Sequence, residues 1–280
     1  METGIEERYN ARGRVRSKPM EDVIAEVEGL SRSGVREIVL TGIETGSYGR
    51  DLGEGYGLAE LIAELDRRGS AERIRLGSLA PELIGKSFIE KVKDCGILAP
   101  HFHLSVQSGS DNVLRRMKRR YNSRVALENI RLIRESIPGA AFTTDLMVGF
   151  PGESEEDFLD TVRFAEEARF IDAHVFAYSR RGGTPAADYP DQIDEAVKRE
   201  RSERLIGVCH GIRDAVLSEI VERGEALSLI LETYDGKSYT AHADNFAEVC
   251  VESDDPSLGG EMVKAIPVSH RNGIIIARLI

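Results

Sequence analysis

The chain has 280 residues and a formal net charge of −11, which argues against a broadly basic nucleic-acid-binding surface but not against a local RNA-binding patch. Hydrophobic residues make up 41% of the sequence, and this content excludes wholesale disorder. The sequence has no run of about 18 apolar residues that would predict a membrane-spanning helix, and residues 1–18 lack the apolar stretch of a secretory signal.

Helix and strand signals alternate from residue 19 to about residue 180. The predicted strands are residues 37–41, 73–76, 101–107, 141–148 and 172–178. Ser154 and Asp157 have the spacing of a capping box at the start of the helix after the fourth strand. Five strands separated by helices are typical of βαβ units with a parallel sheet. Because the first element is a helix, the pattern predicts a barrel that lacks its first strand.

The pattern changes near residue 220. Residues 191–219 predict one long charged helix, and the short strands that follow are separated by turn signals such as Asp235-Gly236 and Gly259-Gly260. Such strands predict a small all-β barrel. The sequence therefore predicts three parts: a partial α/β barrel over residues 1–190, a connecting helix over residues 191–219 and a β domain over residues 220–280.

Three of the predicted strands have one polar and one aliphatic face. The polar faces comprise His101, His103, Ser105 and Gln107, then Thr143, Asp145 and Met147, then Asp172, His174, Phe176 and Tyr178. The aliphatic faces should pack on the outer helices, so we expect the polar faces to line a ligand cavity near the carboxyl ends of the strands. The alternative is a buried network in which the polar groups satisfy one another. Two histidines alone are too few to predict a metal site.

Three cysteines, Cys95, Cys209 and Cys250, lie far apart in the sequence. Their odd number and their spacing predict separate thiols and a reducing, cytoplasmic location.

Several segments, in order and spacing, together resemble the radical S-adenosylmethionine methylthiotransferases. They are residues 11–17 (ARGRVRS), 40–43 (LTGI), 46–49 (GSYG), 100–111 (PHFHLSVQSGSD), 117–121 (MKRRY), 144–153 (TDLMVGFPGE), 174–179 (HVFAYS) and 183–184 (GT). Residues 12–17, 100–103 and 178–181 look closest to the branch that acts on threonylcarbamoyladenosine in tRNA. The last segment resembles the RNA-binding TRAM domain of that family, though less closely.

The resemblance implies an α/β fold: a partial (βα)6 radical-SAM barrel of the TIM type, without its first strand, followed by a small TRAM-like β-barrel. It also implies reductive cleavage of S-adenosylmethionine at a 4Fe–4S cluster and insertion of a methylthio group into the modified adenosine next to the anticodon. The expected partner is therefore the tRNA anticodon stem-loop. The sequence identifies neither the electron donor nor the sulfur donor.

The resemblance further assigns cofactor-binding residues, but no catalytic residue. Gly42 and Glu44 match positions at the methionine part of S-adenosylmethionine, and Ser78 ends a strand that faces the cofactor. The remaining assignments are Gln107, Arg119 and Asp145 at the methionyl and ribose parts and Val148, Phe176 and Tyr178 beside the adenine. The alternative for Arg119 is a surface arginine in a basic run.

The cluster ligands of the family have no counterpart in this sequence. Family members carry C-x-x-x-C-x-x-C just before the ARG run, where this chain has Thr3 and Glu6 and no cysteine. A thiolate is the usual ligand of such iron. We therefore expect either a fragment or misplaced gene start, an engineered truncation, or a decayed paralogue.

The acidic end of the chain leaves two further alternatives open. Residues 221–280 contain ten acidic and five basic residues, a balance of −5, which is unlike an RNA-binding patch. This balance fits the family branch that modifies a ribosomal protein, because that substrate is basic. A separate alternative is a non-catalytic module that binds RNA or S-adenosylmethionine without a cluster. Tyr234, Tyr239 and Phe246 are candidates for stacking on bases, with core packing the favoured role for Phe246.

Overall fold

Alternating helices and strands build the first two thirds of the structure. The computed structural model describes residues 15–42 and 44–280. Its α-helices are α1 (Met20–Arg32), α2 (Leu58–Arg68), α3 (Lys86–Val92), α4 (Asp111–Arg116), α5 (Ser123–Ser136), α6 (Glu155–Ala168) and α7 (Glu195–Arg223). Its strands are β1 (Glu37–Leu40), β2 (Arg73–Leu76), β3 (His101–Gln107), β4 (Ala141–Val148), β5 (Asp172–Ala177), β6 (Leu227–Tyr234), β7 (Ser238–Ala243), β8 (Glu248–Glu252), β9 (Met262–Arg271) and β10 (Ile274–Leu279). Short 3-10 turns lie at Thr45–Ser47, Pro81–Leu83, Pro185–Asp188 and Pro256–Leu258.

Strands β1 to β5 run parallel in chain order. Ile38 of β1 lies opposite Ile74 of β2, and β4 lies between β3 and β5. Leu79 joins the two groups of strands, because its N–H donates to the His103 carbonyl at 2.9 Å and its carbonyl accepts from the Ser105 N–H at 2.9 Å. The five parallel strands predicted from the sequence are therefore present.

The helices cover one face of these strands. Phe102, Leu104 and Val106 of β3 have no exposed surface and pack in one core with side chains of α2, α3, α5 and α6. Burying each such side chain contributes about 1.5–3 kcal/mol. Alternation along the strand turns His103 and Ser105 to the opposite face, so the polar faces point away from the helices as the sequence predicted.

The start of α6 has the predicted capping box. The Ser154 hydroxyl accepts from the Asp157 N–H at 3.1 Å, and the Asp157 carboxylate accepts from the Ser154 N–H at 2.9 Å. A cap of this kind contributes about 1 kcal/mol. The Ser110 hydroxyl also donates to Asp157 at 2.6 Å, so the cap fixes α6 against the turn that follows β3.

The long helix α7 begins later than the predicted residue 191 and ends at Arg223 rather than 219. Asp194 sets its start, because the Asp194 carboxylate accepts from the Ala196 N–H at 2.8 Å. Gly224 ends it in the left-handed conformation, with φ 62°. Buried Leu205 belongs to the core of the parallel strands, and buried Leu217 belongs to the core of the C-terminal β-barrel. Helix α7 therefore packs on both parts.

Strands β6 to β10 form the C-terminal β-barrel. It is closed in the order β10-β8-β7-β6-β9, and β8 and β10 are its one parallel pair in that order. Its core includes the fully buried Tyr239, Leu229 and Val249. Closure pairs each of the five strands on both sides, which removes the exposed edges that promote aggregation.

A junction of charged and aromatic groups joins the C-terminal β-barrel to the parallel strands. Arg75 of β2 forms an ion pair with Glu37 of β1 at 2.7 Å and donates to the carbonyls of Ala243 and Asp244 at 3.1 and 3.0 Å. The ring of Phe246, in the loop between β7 and β8, stacks on His101 with 4.4 Å between centroids. The β-barrel therefore contacts the amino-terminal ends of β1, β2 and β3.

No helix within residues 15–42 and 44–280 combines the length and the apolar character needed to cross a membrane.

Candidate cofactor-binding site

A chain of four hydrogen-bonded side chains runs along the polar face of β3 and β4. The Thr143 hydroxyl lies 2.9 Å from Nε2 of His101 and 2.9 Å from Nδ1 of His103. His103 Nε2 lies 3.3 Å from the Asp145 carboxylate. The strand register positions these groups, because His101 lies opposite Ala141 and His103 lies opposite Thr143.

The network assigns the direction of every hydrogen bond. Asp145 accepts from His103, and this bond is the main reason why the pKa of Asp145 lies below its ordinary value. Nε2 of His103 therefore carries a hydrogen, and in the tautomer with Nδ1 unprotonated Nδ1 accepts from the Thr143 hydroxyl. Thr143 in turn accepts from His101 Nε2. All donors thus point toward Asp145.

His101 fits this assignment. It is 3% exposed, and burial, aided by the nearby charge of Arg75, lowers its pKa to about 3. The ring is therefore neutral at pH 7. Its Nδ1 atom is buried and has no partner within the described residues, which matches an unprotonated nitrogen that Phe246 shields from water. The buried polar network that the sequence left as an alternative is thus present, and it ends at a half-exposed carboxylate.

Asp145 lies where this polar face opens to solvent, with 31% of its side chain exposed. Ser78, which follows β2, hydrogen-bonds through its hydroxyl to the Ser105 hydroxyl on β3. Gln107 ends β3 with φ 69°, beside a register shift between β3 and β4. A non-glycine residue in that left-handed region costs about 1–3 kcal/mol, so the end of β3 is held in a strained conformation next to the site.

Phe176 supplies an apolar surface on the neighbouring strand. It lies opposite Met147 in the register of β4 and β5, is half-buried and stacks on His174 with 5.4 Å between centroids. Because Met147 is two residues beyond Asp145 on the same face, the ring lies toward the carboxyl end of the sheet. The structure therefore brings Ser78, Asp145 and Phe176 to one polar face, whereas the register shift pairs Gln107 with Leu146 of the helix-covered core.

Val148 does not belong to this face, and its assignment needs correction. Its side chain has no exposed surface and packs in the helix-covered core, because alternation turns it away from Asp145. Tyr178 lies beside the site rather than in it. It is 8% exposed and contacts the Phe150 ring at 5.3 Å, and its hydroxyl has no hydrogen-bond partner within the described ranges.

Three further predicted residues lie on loops. Gly42 and Glu44 follow β1, where both are exposed. A methyl group on Gly42 would lie 3.9 Å from Thr45, so packing within the chain does not require glycine there. Arg119 is half-buried in the turn after α4, where its N–H donates to the Leu114 carbonyl at 2.9 Å.

The structure also contains a buried ion pair that the sequence analysis did not identify. Arg201 of α7 donates to Glu153 at 2.8 Å, and the two side chains are 7% and 1% exposed. Glu153 accepts from the Gly149 N–H at 2.8 Å, and burial raises its pKa. The pair fixes the glycine-rich turn after β4 against α7. The only signal in the sequence was the pattern of charges along the predicted long helix, and that pattern did not indicate which residue Arg201 contacts.

Two measurable cavities are lined by other residues. One of about 270 Å³ lies between the loop after β1 and α3, where Tyr48 and Phe88 line it. One of about 120 Å³ lies at the junction, beside Arg213 and Phe246. None of the nine predicted site residues lines either cavity.

The described residues do not fit a 4Fe–4S cluster. They contain no group of three or more His, Cys, Asp or Glu side chains that could hold a metal ion. Cys95 precedes β3, Cys209 is buried in α7 and Cys250 lies in β8. Thr3 and Glu6, the positions aligned with the cluster ligands, lie outside the described residues.

A family model described as the Radical SAM superfamily matches residues 4–165. This chain belongs to the radical SAM superfamily. The match covers strands β1 to β4 and all the hydrogen-bonded side chains from His101 to Asp145.

Within that superfamily the chain is similar to methylthiotransferases. It is 38% identical over 255 residues to "Threonylcarbamoyladenosine tRNA methylthiotransferase MtaB" from Bacillus subtilis, an overlap of 89% of this chain and 56% of the relative. It is 43% identical over 215 residues to "tRNA-2-methylthio-N(6)-dimethylallyladenosine synthase" from Acetivibrio thermocellus, an overlap of 75% and 45%. The chain thus spans about half the length of these relatives.

Two solved structures share the fold. Coproporphyrinogen III oxidase (HemN) from Escherichia coli has a TM-score of 0.53 at 14% identity, covering 92% of this chain and 62% of that one. The methyltransferase TsrM from Kitasatospora setae, solved with cobalamin and a [4Fe-4S] cluster, has a TM-score of 0.51 at 17% identity, covering 62% and 33%. At these identities the likeness concerns the fold alone, an α/β radical-SAM domain.

Proposed function

We propose that this chain is the S-adenosylmethionine-binding part of a tRNA methylthiotransferase, an enzyme of the transferase class. One observation carries the proposal: residues that the family resemblance assigns to S-adenosylmethionine converge on one polar face. Asp145 lies there on β4, the pairing of β4 with β5 brings Phe176 to the same face, and Ser78 hydrogen-bonds to Ser105 on that face of β3.

The side chains have distinct roles in this proposal. The ionised Asp145 carboxylate accepts hydrogens from the ribose hydroxyl groups, and His103 orients it. Phe176 offers its ring to the adenine, and Arg119 pairs with the methionyl carboxylate through charge-assisted bonds. S-adenosylmethionine, when bound, supplies the hydrogen-abstracting chemistry of the superfamily, and the protein positions it. No role is assigned to an iron–sulfur cluster, because the side chains of the described residues do not fit one.

The substrate we propose is threonylcarbamoyladenosine next to the anticodon of tRNA. The segments 12–17, 100–103 and 178–181 favour this branch, and so does the similarity to MtaB over 255 residues. The second candidate is the dimethylallyladenosine of tRNA, which the 43% identity to the Acetivibrio thermocellus synthase favours. In both cases the partner is the anticodon stem-loop.

Two further assignments belong to the same proposal. The C-terminal β-barrel is a TRAM-like domain, preceded by the connecting helix and the partial radical-SAM barrel of residues 1–190. The closed five-stranded topology supports this assignment. The cytoplasm is the proposed location, because tRNA is modified there and the three cysteines are free thiols.

Mass spectrometry of tRNA nucleosides tests the proposed function. Cells from which the gene has been deleted should lose 2-methylthio-threonylcarbamoyladenosine and regain it when the wild-type gene is returned. Loss of 2-methylthio-dimethylallyladenosine instead would establish the second candidate. If both nucleosides persist unchanged in the deletion strain, the proposal fails. Iron and sulfide are also measured in the anaerobically reconstituted protein and in a version extended at its amino terminus. This measurement distinguishes a protein that lacks the cluster from one that binds the cluster but lacks the activity.

A further inference from the structure

A cavity of about 270 Å³ lies between the loop after β1, the start of α2 and α3. Its floor is apolar, because Leu58, Leu79 and Ile84 line it and belong to the core that the helices cover. These three side chains are at most 7% exposed. The polar face with Asp145 lies on the opposite side of the strands, so the cavity is separate from the candidate cofactor site. Its volume is close to the lower end, about 300 Å³, of pockets that hold small molecules.

Close glycine contacts shape the loop that forms one wall of the cavity. Gly49 has a φ of 86°, and a methyl group there would lie 2.6 Å from the backbone of Tyr56. A methyl group on Gly46 would overlap the Leu83 side chain. Glycine at both positions therefore lets the backbone pack closely, against the far end of the same loop and against the turn after β2. The wall thus has a defined shape without a ligand.

The segment before α1 braces the same loop. The Gly49 N–H donates to the Ser17 hydroxyl at 2.9 Å, and the Ser17 N–H donates to the Asp51 carboxylate at 2.9 Å. The Tyr48 hydroxyl donates to the Lys18 carbonyl at 3.0 Å. These three bonds hold the loop in place, so a ligand does not have to order it. A preformed site of this kind binds its ligand at a smaller entropic cost.

Aromatic rings form much of the lining of the cavity. Tyr48, Tyr56 and Phe88 contribute their rings, and Tyr56 is 48% exposed. The Tyr48 hydroxyl is already bonded to Lys18, so the ring is the part of this side chain that is available to a ligand. Aromatic side chains pack favourably on other rings in offset-stacked or edge-to-face contacts. The lining therefore favours a flat aromatic ligand.

Positive charge prevails at the rim of the cavity. Arg50, Lys91 and Glu60 are the charged residues that line it. Lys91 and Glu60 form an ion pair with each other, whereas Arg50 is exposed and forms no hydrogen bond or ion pair within residues 15–42 and 44–280. A guanidinium group binds a carboxylate through two parallel hydrogen bonds. The charge of Arg50 therefore favours an anionic ligand.

We propose that this cavity binds a small aromatic carboxylate, with one or two fused rings against the aromatic lining and the carboxylate paired with Arg50. The rings of the lining supply the apolar contact, and Arg50 selects the ionised acid over a neutral molecule of the same shape. Because the cavity lies outside the polar face, the proposal does not depend on the proposed function.

Saturation-transfer NMR on the full chain tests the proposal with two matched probes. Indole-3-acetate has two fused rings and a carboxylate, and indole-3-acetamide has the same shape without the charge. The acetate should bind with a dissociation constant of about 1 mM or lower, as expected for a ligand of this size. The acetamide should bind about 5-fold more weakly, which is the effect of one exposed ion pair. If neither probe binds, or if both bind equally tightly, the proposal fails.

Two pairs of variants locate the bound probe. Arg50→Ala should weaken the binding of indole-3-acetate about 5-fold and leave that of the acetamide unchanged. The control Arg131→Ala removes a 75% exposed side chain outside the cavity and should change neither. Ser87→Trp adds a large ring to the lining and should abolish the binding of both probes, whereas Lys86→Trp, at the neighbouring exposed position outside the cavity, should preserve it.

Circular dichroism of each variant shows whether it is folded, and the Arg50 and Arg131 pair decides the question if Ser87→Trp is not. Two results would overturn the proposal: binding of the probes that survives in folded Ser87→Trp, or a loss of affinity in Arg131→Ala as large as that in Arg50→Ala.

Discussion

Replacing Thr143 by valine should destabilise the protein more than the same change at its neighbour Thr144. The Thr143 hydroxyl connects two imidazoles, at 2.9 Å each, and Thr143 is 5% exposed. Valine keeps the shape of threonine but breaks both hydrogen bonds and leaves the buried N–H of His101 without an acceptor. Two hydrogen bonds contribute about 0.5–1.5 kcal/mol each, and an unsatisfied buried donor costs about 1–3 kcal/mol. The expected loss is about 2–6 kcal/mol.

Thr144 provides the matched control. It is 1% exposed, and its hydroxyl donates its single hydrogen to the Leu104 carbonyl at 2.7 Å, with the Asp145 carbonyl farther away at 3.3 Å. Thr144→Val should therefore cost about 1 kcal/mol. Urea unfolding of both variants measures the difference. A Thr143→Val cost equal to or below that of Thr144→Val would refute the directed chain from His101 to Asp145.

Three other predictions concern the junction and the loop after β4. In the folded protein the pKa of His101 is lowered to about 3 from 6.5, so its contribution to stability is full above pH 6.5 and falls by about 1.4 kcal/mol per pH unit below it. His101→Phe should therefore reduce the dependence of the unfolding free energy on pH between pH 6.5 and 5. An equal pH dependence for wild type and variant in urea unfolding would contradict the assignment. Phe246→Ala should cost about 2 kcal/mol, because it removes the stacking on His101 and a cation–π contact with a guanidinium 5.3 Å from the ring, and an unchanged midpoint in thermal unfolding would speak against the junction. Gly149→Ala should reduce the free energy of unfolding more than Gly139→Ala does. Both glycines have positive φ, but the new methyl group at 149 would lie 2.4 Å from Lys198, whereas that at 139 would meet nothing within 4 Å. Equal midpoints in urea would show that the turn is not packed against α7.

The sequence predicted the parallel strands well because their periodicity is strict. The bounds of β2, β3 and β4 match the predicted ranges, since glycine or proline residues flank all three strands and apolar and polar residues alternate along β2 and β3. Alternation along β4 turns Val148 away from Asp145. The family resemblance nevertheless assigned Val148 to the adenine, and the structure agrees with the alternation.

The junction could not be predicted, because it depends on contacts between residues far apart in the sequence. Arg75 and Asp244 are 169 residues apart, and no local pattern indicates which loop meets which strand. Arg73 and Arg75 alternate with apolar neighbours along β2. Only the tertiary structure shows that Ser228 and the loop between β7 and β8 satisfy those two arginines.

Isothermal titration of the anaerobically reconstituted protein with S-adenosylmethionine tests the central claim most directly. Asp145→Asn removes the charged acceptor on the polar face, and a hydrogen bond to a charged group is worth about 1.5–3 kcal/mol. The dissociation constant should therefore rise by roughly 10- to 100-fold. The control Asp172→Asn changes an exposed carboxylate at the opposite end of the sheet and should leave the affinity unchanged. Equal affinities for wild type and Asp145→Asn would contradict the claim that the polar face binds S-adenosylmethionine.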